Sequence, residues 1–268
     1  MNLKNYLLIM ILLLTTGCDK NKIDPKETNS SIKIELTKTN LNKDENISIK
    51  LIDSNDSEIT SNIVWKISPE KAIIKDGVLT ATDNGVINIE AIHNGLKSAP
   101  VSINISWVVN GITLPEEPDK ALNDSTLAGI DSNKNGVRDD IERHLYKIYK
   151  NDHPIHIDIG MQEAKTYQYL LEHPNMTYDE IIKTKPFFDA PGNCERYYRD
   201  DAEEFGDKLL FTKSLSVNGF IKKYFNTKER YMVFYRRDKL LSGGSYSLPW
   251  PDELKKDCDF NTSKYKGI

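Results

Sequence analysis

Between residues 31 and 109 the chain repeats one device seven times: a short run with an apolar residue at every second position, closed by Asn, Asp, Gly or Pro. The runs are SIKIELT, NISIKLI, NIVWKI, KAII, GVLTAT, GVINIEAI and PVSINISWVV. A period of two sends alternate side chains to opposite faces of a strand, so each run has one face to bury. Parallel partners need long crossovers, and the short spacers between these runs leave no room for them. Residues 31–109 are therefore expected to form an all-β antiparallel sandwich.

The period changes after residue 109. Residues 110–124, NGITLPEEPDKALND, hold two prolines and many polar groups and read as a linker between domains. A chain of 268 residues has length for two such units. Beyond the linker, Ile141, Leu145, Ile148 and Tyr149 share one helical face. Further helices are expected from about Ile157 to Leu171, from a capping box at Thr177 and Glu180, and from near Asn193 to Leu210. A second capping box at Asn226 and Glu229 opens a helix that Gly243 and Gly244 stop. The Thr177 helix is expected to be short. Residues 125–268 thus read as a mainly α-helical domain, and the fold class is multi-domain.

Residues 1–18, MNLKNYLLIMILLLTTGC, place Lys4 before an apolar run that ends in small residues, which is the pattern of an export signal. The run is far shorter than the roughly 20 residues a spanning helix needs. Leu14-Thr15-Thr16-Gly17-Cys18 resembles the lipobox of bacterial lipoproteins, which implies lipidation of Cys18 and a lipid bilayer as partner. An ordinary secretory signal containing a cysteine is the alternative. Asp19 is similar to an inner-membrane retention signal. Residues 19–30, polar and broken by Pro25, read as a flexible tether. The expected location is the bacterial cell envelope, lipid-anchored and facing the periplasm or the cell surface. With Cys18 acylated, Cys194 and Cys258 remain, and in an oxidising compartment they are expected to form a disulfide; two free buried thiols or a nucleophilic cysteine are the alternatives. A formal net charge of -4 supplies no positive field for phosphate backbones, so nucleic acid is not expected as a partner.

Trp65, the DGVLTA turn from Asp76 to Ala81, Gly85 and the INIEA strand from Ile87 to Ala91 together resemble the bacterial Ig-like domain, group 2. The resemblance covers residues 31–109 and implies a spacer or interaction module with no catalytic residues. Trp65 is expected in the sandwich core.

The stretch GIDSNKNGVRDDIERHLY carries the most specific chemistry in the chain. Counting from Asp131, oxygen-bearing side chains stand at Asp131, Asn133, Asn135, Asp139 and Glu142. Glycine occupies the sixth place as Gly136, and Val137 offers its carbonyl at the seventh. This is the spacing of an EF-hand calcium loop, in which alternate side chains fold inward around a hard cation. Two departures bear on its type: Arg138 stands where paired loops carry an aliphatic residue, and Asn133 and Asn135 bring no charge. The loop resembles the isolated calcium loops of dockerins and thrombospondin type 3 repeats, with an expected affinity of roughly 10⁻⁴ to 10⁻³ M and a bracing rather than catalytic role. The same residues also build a metal-free turn that caps a helix.

DSNKNGVRDDIE with the later NTKER, LSG, SLP and CDF segments resembles a group of uncharacterised exported bacterial proteins, which implies no activity. His153 and His156 with Asp158 could hold zinc but read as two solvated histidines flanking a proline loop. Asp200, Asp201, Glu203 and Glu204 could supply acid and base for glycan hydrolysis but read as a wet helix face. GGSYSLP lacks the glycine of a nucleophile elbow, and KERYMVFYRRDK divides into apolar and solvated sides. The functional expectation is a calcium-stabilised binding or adhesion module with a protein or glycan partner. A cell-envelope hydrolase working from the helical half and a structural spacer are the alternatives.

Overall fold

A computed structural model describes residues 31–201, 219–244 and 250–265. Residues 1–18, read as an export signal ending in Cys18, and residues 19–30, read as a tether, lie outside the described residues, as do Glu203, Glu204 and the SYSLP segment.

All seven alternating runs are strands. They occupy β1 (Ile32–Leu36), β3 (Asn46–Asp53), β5 (Ile63–Ser68), β6 (Ala72–Lys75), β7 (Val78–Ala81), β8 (Gly85–His93) and β10 (Val101–Ser106). Short strands β2 (Asn40–Asn42), β4 (Glu58–Ile59) and β9 (Leu96–Lys97) join them, and β11 (Val108–Val109) pairs with β12 (Ile112–Thr113) as a small hairpin. One sheet runs β1-β3-β7-β6 with β4 beside β3; the other runs β2-β10-β8-β5 with β9 beside β8. The two form a β-sandwich, and the alternation of the sequence is the alternation of burial. In β3, Ile47, Ile49 and Leu51 face the core while Ser48 and Lys50 face water; in β8, Ile87, Ile89 and Ala91 are inside and Val86 and Asn88 outside. Trp65, opposite Ala91 in the β5–β8 register, is half-buried and packs against the core from its margin.

The all-antiparallel expectation needs one correction. β2 pairs with β10 in parallel, Leu41 opposite Ile105. The chain leaves β1 in one sheet and enters β2 in the other. The crossover that a parallel pair requires is then the whole intervening sandwich, not a dedicated helix.

The helical region comprises α1 (Lys120–Asp124), α2 (Asp139–Tyr149), α3 (Ile155–Glu172), α4 (Tyr178–Arg196), α5 (Gly219–Tyr224), α6 (Lys228–Leu241) and α7 (Pro251–Leu254). Ile141, Leu145 and Tyr149 bury the predicted face of α2, and Ile148 packs partly against the same core. Thr177 and Glu180 form the expected capping box, but α4 is not short. It runs through Pro186 and Pro191 into a π turn at Tyr197–Asp201, so the helix expected from near Asn193 starts within α4, and residues 202–210 of that expectation lie outside the described residues. The N-cap of α6 is Thr227, whose hydroxyl accepts from the Arg230 amide at 3.2 Å, so the expected Asn226 cap is displaced by one residue. Gly243, at φ +87°, ends α6 as expected.

Residues 110–124, read from sequence as a linker, carry structure of their own. They contain β12 and α1, and Leu114 is buried in the helical core. Arg143 of α2 reaches back across this segment to the sandwich. Its Nε donates to Glu117 at 2.6 Å, its Nη2 to Asp83 at 2.7 Å and its Nη1 to the Pro115 carbonyl at 2.8 Å, while the guanidinium lies 4.7 Å from the Trp107 ring centroid. A second tie, Lys71 to Glu116 at 2.7 Å, holds the segment against the sandwich. Cys194 at the end of α4 is disulfide-bonded to Cys258. Among the described residues, no helix is long and apolar enough to cross a membrane.

Candidate metal centre

The loop 131–142 connects α1 to α2, and its last four residues are already the first turn of α2. Its curvature comes from two positive-φ residues, Lys134 at +57° and Gly136 at +83°. Gly136 meets this conformation without steric cost, and Asx-type bonds close the turn around it. Asp131 accepts from the Asn135 amide at 3.2 Å and the Gly136 amide at 2.9 Å. Asn133 accepts from the Asn135 amide at 3.2 Å, and Asn135 from the Val137 amide at 2.9 Å.

The side chains of Asn133 and Asn135 converge on Glu142, their Nδ2 groups donating to the same Oε2 at 2.9 and 2.8 Å. Asp139 closes the other side, both of its oxygens accepting from the Ser132 amide at 3.0 and 3.2 Å. Asn133, Asn135 and Glu142 are therefore brought together through their side chains, while Asp131 and Asp139 are held by backbone amides of the loop. Val137 contributes backbone only, since its side chain is wholly buried in the helical core.

Asp139 and Glu142 are each 2% exposed. Burial raises the pKa of both carboxyls above the ordinary range. Hydrogen bonds from Ser132 to Asp139, and from Asn133 and Asn135 to Glu142, pull the other way, while neighbouring negative charge, including that of Asp131, adds to the rise. No ion pair reaches Asp131, Asp139 or Glu142 among the described residues. Two buried carboxyls with no cationic side chain paired to them would gain from a nearby cation. The donors are all oxygens, which suits a hard cation rather than a thiophilic one. Among the described residues no three His, Cys, Asp or Glu side chains gather as a metal-holding group. A cation here would depend equally on the amide oxygens and the Val137 carbonyl.

Arg138 is a feature that sequence reasoning missed. It sits in the loop at the place where a paired loop would present an apolar side chain, and it is wholly buried. Its Nε and Nη2 donate to the two oxygens of Asp140 at 2.5 and 3.2 Å, and its Nη1 to the Tyr224 carbonyl at 3.1 Å. Its guanidinium lies 5.1 Å from the Tyr224 ring centroid. The outer side of the loop is thus docked onto α5. Gly129, at φ +72°, makes room for it, because a Cβ there would overlap the Arg138 side chain. Arg230, also wholly buried, holds the preceding turn through the carbonyls of Asn123, Thr126 and Leu127 and the carboxylate of Asp124.

The histidine reading is corrected. His156 is not solvated: it is buried in the first turn of α3 and stacked on Tyr149 at 5.4 Å. His153 is half-buried with its ring edge-on to Tyr265 at 5.3 Å, and Asp158 accepts from the Tyr265 hydroxyl at 2.5 Å. Pro154 starts a helix here rather than holding a loop. Of the acidic cluster, Asp200 and Asp201 fall in the π turn, and Glu203 and Glu204 lie outside the described residues.

No protein-family model matches the chain, and no curated protein matches it. Among solved structures, a ZirS C-terminal domain is similar at a TM-score of 0.21 and 14% identity, covering 39% of this chain and 93% of that chain. A likeness of that size carries no argument about fold or function.

Proposed function

We propose that this chain is a lipid-anchored cell-envelope binding module. An Ig-like sandwich presents a helical domain, an EF-hand-type loop binds calcium and braces α2, and the helical domain engages a protein or glycan. Anchoring rests on the export pattern and Cys18, and the Cys194–Cys258 disulfide agrees with an oxidising compartment. Calcium rests on the spacing of Asp131, Asn133, Asn135, Val137, Asp139 and Glu142 and on the burial of the Asp139 and Glu142 carboxyls; an ion would take the Asn133 and Asn135 oxygens in place of the Nδ2 bonds these amides now make to Glu142. When bound, the ion would supply positive charge to carboxylates that the fold has buried together.

The observation that carries the binding reading is the outward face of α6. Tyr231, Met232 and Tyr235 are each about half exposed, at 51%, 51% and 48%. Met232 and Tyr235 border a shallow groove of about 420 Å³ with Pro174, Asn175, Arg236 and Lys239. Arg236 donates to Asn175 Oδ1 at 2.9 Å, which sets the groove against the turn between α3 and α4. Large aromatic and methionine side chains half exposed on the outer side of a helix are of the types enriched at interface centres.

A paired substitution, Met232→Ser with Tyr235→Ser, removes apolar contact at exposed sites and is expected to change stability by no more than about 0.5 kcal/mol. Saturable binding to detergent-solubilised envelope fractions, read by surface-immobilised full-length protein, is expected to weaken by about tenfold or more. Unchanged binding in the paired variant sinks the assignment to α6. A mature protein whose mass shows an unacylated N-terminus sinks the anchor.

A further inference from the structure

A cleft of about 520 Å³ lies where the sandwich meets α2 and α5. Lys43 and Trp107 line it from the sandwich side, and His144, Lys147, Lys150 and Lys223 from the helical side. The acidic residues in its wall are already paired: Asp44 with Lys43 at 2.6 Å, Asp83 and Glu117 with Arg143, and Asp140 with Arg138. Among the described residues, Lys147, Lys150 and Lys223 have no ion-pair partner. His144, Lys147 and Lys150 follow at three-residue steps and share one face of α2.

Placement at the C-terminal end of α2 gives Lys147 and Lys150 a favourable interaction with the helix dipole. That accounts for neither Lys223, delivered from α5, nor the convergence of these groups on one concave space. Trp107 is flanked by Arg143 at 4.7 Å and Lys43 at 5.6 Å from its ring centroid, so cations rather than a sugar ring lie against it. The unpaired donors are ammonium groups. Arg143, whose fork would suit a planar carboxylate, is saturated by Glu117, Asp83 and the Pro115 carbonyl. Compact point charges surrounding a space larger than one anion suit a ligand with more than one tetrahedral, doubly charged group.

We infer that this cleft is a binding site for a phosphorylated ligand carrying two phosphate groups, either a free phosphoester or an anionic lipid headgroup. The site is separate from the α6 groove and does not depend on the binding reading given above. It places the ligand against both halves of the chain, beside the Arg143 tie that joins them.

The test uses full-length protein with Cys18→Ser, so that no acyl chain contributes. Pyrophosphate is titrated calorimetrically, and co-sedimentation is measured with cardiolipin vesicles, whose headgroup carries two phosphates, and with phosphatidylcholine vesicles. Lys147→Gln with Lys223→Gln is compared with a control of equal charge loss, Lys183→Gln with Lys228→Gln. Pyrophosphate binding is expected to weaken about tenfold or more in the first pair and to stay unchanged in the second. Cardiolipin binding that pyrophosphate displaces and the first pair abolishes assigns the ligand to a headgroup; pyrophosphate binding without vesicle binding assigns it to a free phosphorylated ligand. Absence of both, or equal weakening in the control pair, overturns the site.

Discussion

Replacing Arg138 by alanine is expected to cost about 3–5 kcal/mol of folding stability, more than any substitution of an exposed loop residue. The reason is what stays behind. Asp140 is buried in the wall of the cleft, and its two oxygens are held by the Arg138 fork; without the guanidinium, the carboxylate loses the two bonds that offset most of its lost hydration. The Tyr224 carbonyl loses a donor at the same time. The paired replacement Arg138→Met with Asp140→Leu removes both charges at similar volume and is expected to recover most of the loss, because buried ion pairs add little over well-packed apolar groups. Urea unfolding measures both. If the pair is as unstable as the single variant, the loss comes from packing and docking of the loop rather than from the stranded charge.

Cys194→Ala with Cys258→Ala is the second large effect, expected at about 4 kcal/mol. The two cysteines are 64 residues apart, so the bridge removes much of the freedom of a long segment in the unfolded chain. That corresponds to a drop in melting temperature of about 8–16 °C for a chain of this size. The loss is expected to be local first. Residues 255–265 are otherwise held by Phe260 and Tyr265 packed on the helical core and by a few polar contacts: Gln162 Nε2 to the Asp257 carbonyl at 2.6 Å, Asn193 Nδ2 to Asp257 at 2.7 Å and the Tyr265 hydroxyl to Asp158. Hydrogen exchange should therefore speed up in this segment at temperatures where the sandwich stays protected. Uniform loss of protection across both halves would contradict the local picture.

What was legible in the sequence follows from how local the physics is. Period-two burial is a property of one strand at a time, so all seven runs were visible, and so was the α2 face of Ile141, Leu145 and Tyr149. The cysteine pairing was legible because only two thiols remained once Cys18 was set aside. The spacing of the loop from Asp131 to Glu142 was equally local, and the Asn133, Asn135 and Glu142 side chains are hydrogen-bonded together. Arg138 was not legible. Its burial depends on the Tyr224 carbonyl, 86 residues away, and on an acid two places along that looks like one more helix-start carboxylate. Arg143 was hidden for the same reason, its partners Asp83 and Glu117 coming from the sandwich and the linker. The helix expected to be short runs on through Pro186 and Pro191. Each removes one helix hydrogen bond, but packing of Ile181, Pro191 and Cys194 onto the core carries the helix past them. His156 looked solvated because the Tyr149 ring that covers it belongs to the preceding helix.

The central claim is that a cation braces the loop before α2, and calorimetric melting of the full-length protein in about 10 mM calcium against chelator tests it most directly. With an affinity of roughly 10⁻⁴ to 10⁻³ M, calcium should raise the melting temperature by about 3–10 °C near pH 7. In chelator the raised carboxyls of Asp139 and Glu142 bind protons more readily in the folded chain than in the unfolded one, where Asp and Glu titrate near about 3.9 and 4.3. Their contribution therefore lowers stability as pH rises from those values through the raised folded values. Calcium needs both groups ionised, so its stabilising effect should grow over that same window and fade below it. Glu142→Gln, which keeps the shape and removes the charge, should abolish most of the calcium shift. Equal melting in calcium and chelator, or a shift that Glu142→Gln leaves intact, contradicts the brace.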